Sequence, residues 1–128
     1  MQLSDVTGNA IDQDKGRAIE LVDPFTGEAT GLRLWLVGPD SDTARRARLA
    51  LTDELTALAD ADGRVSAEHR EAARLNCLAK HVQRWDVQEA GHPVPFTTGN
   101  LLTLLRVHWV QAQVDAFAGD RRNFAPGA

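Results

Sequence analysis

The chain has 128 residues, a formal net charge of −4 and one cysteine. Its 43% hydrophobic and 25% charged residues are those of one folded domain and exclude wholesale disorder. The acidic balance argues against a nucleic-acid partner, and no apolar run approaches the ~20 residues needed to span a membrane.

Residues 1–16 are polar and carry Gly8, Asn9 and Gly16, so a flexible N-terminal arm is expected there, ordered only if something holds it. Met1-Gln2-Leu3-Ser4-Asp5 has neither a basic nor an apolar leader region, so no signal peptide is expected. Residues 17–37 read as a β-hairpin. Arg17–Val22 and Leu32–Val37 are the strands, and Asp23-Pro24-Phe25-Thr26-Gly27-Glu28 is the turn. On the second strand Leu32, Leu34 and Leu36 share one face, with Arg33, Trp35 and Val37 on the other. Both faces are largely apolar, so each is expected to be partly covered.

Gly38-Pro39-Asp40 breaks the strand, and Ser41 or Asp42 caps a helix over 42–60 with a stripe of Ala44, Ala47, Leu51, Leu55 and Leu58. Asp60-Ala61-Asp62-Gly63 ends it. Ser66 caps a second helix over 67–83, with Leu75, Leu78, Ala79 and Val82 inward. Trp85 falls in a turn, and Gly91, Pro93 and Pro95 forbid a continuous helix beyond it. Thr97 or Thr98 caps a third helix over 98–106. A fourth over 107–118 presents Trp109, Val110, Val114 and Phe117 until Gly119 stops it. Residues 125–128 form a flexible tail. The expected architecture is therefore α+β: one domain over 17–124, an N-terminal hairpin packed on a mainly helical body of about four helices.

No reactive constellation emerges. Setting Gly63 at the sixth position of a calcium loop puts Leu58 first and His69 twelfth, where calcium requires oxygen ligands. Cys77 and His81 lie four residues apart, but two ligands do not make a zinc site, and a lone helical cysteine is ordinarily a small buried apolar group. There is no nucleophile elbow and no phosphate-binding glycine loop. No catalytic residue, cofactor or metal is expected, and the protein is read as a non-enzyme. Arg45, Arg46 and Arg48 read as the wet face of their helix. At least two of the three tryptophans are expected in the core. Trp109, with Phe117 and Phe124, is the choice for an exposed partner-binding patch, since tryptophan is enriched at binding hot spots.

Two blocks resemble a known family. One is Leu21-Val22-Asp23-Pro24-Phe25-Thr26-Gly27-Glu28 with Leu34-Trp35-Leu36-Val37-Gly38-Pro39-Asp40-Ser41. The other runs from Trp85 to Phe124, with Gly91-His92-Pro93-Val94-Pro95-Phe96-Thr97 at its centre and Asp120-Arg121-Arg122-Asn123-Phe124 at its end. Together they resemble the small tail assembly chaperones of long-tailed bacteriophages and phage-like elements. The resemblance implies a protein that acts in the cytoplasm of a bacterial host. It would bind the tape measure protein, keep it soluble and help recruit tail tube subunits. It also implies a longer frameshifted form as a pairing partner, and it implies neither catalysis nor a cofactor. Self-association is open on the same apolar patches. The rival reading is a structural minor tail or connector protein retained in the virion.

Overall fold

The computed structural model describes residues 1–127. Eleven elements follow one another: α1 (Leu3–Gln13), β1 (Arg17–Val22), β2 (Ala29–Leu36), α2 (Asp42–Leu58), α3 (Ala67–Lys80), β3 (Val82–Asp86), β4 (Gln88–Glu89), β5 (His92–Pro93), α4 (Thr98–Leu105), α5 (His108–Gly119) and a 3-10 turn (Arg121–Phe124). The fold is α+β, with an antiparallel three-stranded sheet in the order β1-β2-β3. Among the described residues five α-helices stand where about four were expected.

The hairpin forms because its turn satisfies itself. Asp23 Oδ1 accepts from the Phe25 and Thr26 N–H groups, and Gly27, at φ +76°, donates back to the Asp23 carbonyl. That backbone conformation costs glycine nothing. Alternation then sorts the side chains. Leu21, Leu34 and Leu36 are fully buried and Ile19 and Leu32 pack beside them. On the opposite face Trp35 is half-buried beneath the Arg84 guanidinium, 4.1 Å from its ring centre. Beside this pair Arg33 meets Asp86 at 3.2 Å across the same two strands.

Hydroxyl caps start the central helices. Ser41 Oγ accepts from Ala44 N–H, Ser66 Oγ from His69 N–H and Thr97 Oγ1 from Asn100 N–H, each at 3.1 Å. The core lies between the inner sheet face and the helices α3, α4 and α5. It is built from Leu75, Leu78, Leu101, Leu105, Val110 and Val114, and closed by Phe124. The α2 helix packs on α3 through the small residues Ala44, Ala47, Ala73 and Cys77. Toward its end Leu51, Leu55 and Leu58 are only half-buried.

Three expectations are corrected. The second helix, expected over 67–83, stops at Lys80, and Val82–Asp86 is a third strand whose Trp85 pairs with Leu34. Val82 belongs to the sheet, not to the helical stripe, because pairing with Leu36 buries it. Trp85 therefore sits in a strand, with its indole N–H donating to the Val94 carbonyl at 2.9 Å. That bond and an edge-on contact with Phe96 pin the β4–β5 hairpin, whose turn holds Ala90 at φ 51° and Gly91 at φ 78°. The third correction is the N-terminal arm: residues 3–13 are a helix. Its first turn is closed by Asp5, whose carboxylate accepts from the Gln2 N–H at 2.7 Å. Of the tail, residues 125–127 are exposed, and residue 128 lies outside the described residues.

Candidate interaction surface

The aromatic trio is separated by burial. Phe124 is 0% exposed and stacks edge-on against Phe117 with ring centres 5.5 Å apart. Trp109 and Phe117 are half-buried and pack against the core from α5. Phe124 is therefore not displayed as an exposed patch residue in this conformation. The 3-10 turn that follows α5 swings it inward, where an aromatic ring contributes most by leaving water. Asp120 starts that turn by accepting from the Arg122 N–H at 3.0 Å.

Exposed apolar side chains lie elsewhere, among them a group on α1. Leu3, Val6 and Ile11 recur at helical spacing on its outer side and are 79%, 56% and 70% exposed. The opposite side of α1 is polar and faces the body. Gln13 is buried, and its amide donates to Asn9 Oδ1 at 3.0 Å and to Asp40 Oδ2 at 3.2 Å. Its oxygen accepts from the Asp40 N–H at 2.8 Å. Asn9 donates to the Phe124 carbonyl at 3.1 Å, and Asp12 meets Arg17 at 2.6 Å. The helix is thus amphipathic in the reverse of the usual sense: its polar edge docks and its apolar stripe faces out. The signal was present in the spacing of Leu3, Val6, Ala10 and Ile11, but Gly8 and Asn9 within the same segment read as loop.

A shallow cavity of about 450 Å³ lies beside α3, lined by Glu54, Asn76, Lys80, Val82, Phe96 and Leu101 among others. Its neighbour, about 430 Å³, shares Asn76 and is flanked by Glu68, Glu71 and Arg106. Asn76 donates to Glu54 Oε1 at 3.0 Å.

The other groups weighed from the sequence are engaged locally. Asp60 Oδ1 accepts from the Asp62 and Arg64 N–H groups, so this carboxylate holds its own turn. Cys77 is buried against the Ala47 carbonyl, and burial pushes its thiol above the ordinary value. His81 Nδ1 lies 2.9 Å from the Cys77 carbonyl. Among the described residues no three His, Cys, Asp or Glu side chains gather as a metal cluster. Arg45 and Arg46 both lean on Asp42, while Arg48 donates to the Pro39 carbonyl. Among the described residues no helix is long and apolar enough to cross a membrane. The chain matches no protein-family model, no curated protein and no solved structure.

Proposed function

We propose that the protein is a non-enzymatic tail assembly chaperone of a phage or phage-like element. It binds the tape measure protein in the bacterial cytoplasm and helps recruit tail tube subunits. The resemblance of the two sequence blocks supplies the family. The observation that carries the binding role is the outward stripe Leu3, Val6 and Ile11 on a helix docked by its polar edge. A chaperone of a long helical chain must present apolar surface to it, and a helix face is the simplest such surface. Trp109 and Phe117, half-buried on α5, add a second contact in this reading.

Co-expression with the long helical protein of the same tail cluster tests it. The long protein is expected to become soluble and to co-purify. The triple substitution Leu3→Gln, Val6→Gln and Ile11→Gln is expected to abolish that rescue while leaving the fold intact. A long protein that stays insoluble and unbound beside the well-folded chain would overturn the reading. Presence of the chain in purified particles would favour the structural virion role.

A further inference from the structure

The most unusual element for its position is α1. It orders 11 residues, yet Gln13 is its one fully buried side chain and none of its residues belongs to the hydrophobic core. An isolated helix of this length is marginal in water, so its order depends on what holds it. What holds it is polar: Asp12 meets Arg17, Asp14 accepts from the Asp42 N–H, and Gln13 is held at Asp40. Asp40 receives the Gln13 amide and, on both oxygens, the Arg121 guanidinium at 2.8 and 2.9 Å. Asn9 ties the same helix to the Phe124 carbonyl, and the Gly38 N–H donates to the Gln13 carbonyl at 3.1 Å. The Gln13 amide and the Phe124 ring both press on Gly38, where a β-carbon would overlap the amide and come within 2.8 Å of Phe124 Cγ. Bonds of this kind exchange with water bonds, so breaking them is far less costly than exposing core leucines.

We propose that α1 is a releasable strap: it opens as a unit from the Gly38–Phe124 junction while the sheet and α3–α5 stay closed, and Asp40 couples its release to loosening of the Arg121–Phe124 turn. Opening removes Gln13 from beside the Phe124 ring and frees the Phe124 carbonyl from Asn9. The strap thereby controls access to the Phe117–Phe124 aromatic pair. This stands independently of the chaperone reading, since it concerns the free protein.

Native-state hydrogen exchange on the full chain tests it. Amides of α1 are expected to exchange on the order of a hundredfold faster than those of β2 and α3, as a local rather than a global opening requires. Arg121→Ala removes an exposed partner without emptying the core. It is expected to speed exchange about fivefold in both α1 and residues 122–124 and to leave β2 unchanged. Ala10→Pro, which removes a hydrogen bond from the interior of α1 and breaks it ahead of Gln13, is expected to leave β2 and α3 protected while accelerating 122–124. Equal protection of α1 and β2, a loss of β2 protection in Ala10→Pro, or an Arg121→Ala effect confined to one of the two segments would each overturn the proposal.

Discussion

Arg121 grips Asp40 with both Nε and Nη2, at 2.8 and 2.9 Å, and so ties the turn after α5 to the loop before α2, 81 residues away in sequence. The same Asp40 accepts from Gln13, so three distant segments meet on one side chain. Arg122 grips Asp120 through Nε and Nη2 in the same way, whereas Arg17 reaches Asp12 through Nη2 alone.

That meeting sets a pH dependence. The Arg121 hydrogen bond, outweighing partial burial, holds the Asp40 carboxyl below its ordinary value. Its contribution is therefore complete above the unfolded-state value and is lost as pH falls through the lower folded-state value. Asp40→Asn is expected to lower stability by about 1 kcal/mol at pH 7, since the pair is partly exposed and screened. Urea melts at descending pH should show the gap between the two proteins closing once the wild-type carboxylate protonates.

Burial ranks the aromatic residues. Phe124→Ala removes a fully buried ring and its edge-on contact with Phe117, and is expected to cost about 3–5 kcal/mol. Trp109→Ala, at a half-buried position, should cost less and leave a folded protein. Thermal melts of the two variants compare them directly; a larger loss for Trp109 would show that α5 rather than the 3-10 turn anchors this corner.

Gly38→Ala places a methyl group against the Gln13 amide and the Phe124 ring. The loop cannot give way without releasing one of them, so a loss of about 2 kcal/mol is expected. If the same substitution made in a Gln13→Ala background costs much less, the helix is the neighbour that yields; a double-mutant cycle in urea measures it.

Ala90 carries the only positive φ among the described non-glycine residues, in the two-residue turn between β4 and β5. Asparagine or glycine tolerates this conformation, so Ala90→Asn or Ala90→Gly is expected to be neutral to stabilising by about 0.5–1 kcal/mol. Alanine being the most stable of the three would mean that the turn relaxes in solution.

Local chemistry explains which elements were legible. The hairpin turn at Asp23–Gly27 and the caps at Ser41, Ser66 and Thr97 act within three or four residues of themselves, so the residues alone reveal them. The strand Val82–Asp86 was not legible, because its partners lie about fifty residues upstream and nothing within it marks the end of a helix. The helical stripe ran through Val82 without a break, and only pairing with Leu36 ends it. The candidate site was harder still. Of the aromatic residues named from the sequence for an exposed patch, Phe124 is buried and Trp109 and Phe117 pack against the core, because which way a ring faces depends on where the next turn points.

The sequence by itself determined the α+β class, the hairpin and the starts of α2, α3 and α4. The tertiary structure alone decided that Phe124 turns inward, that Trp85 joins the sheet, and that α1 exists with its apolar side outward. The physical reason is range. Caps and turns are satisfied by neighbours in the chain, whereas burial and the docking of α1 on Asp40 depend on groups brought together only when the core closes.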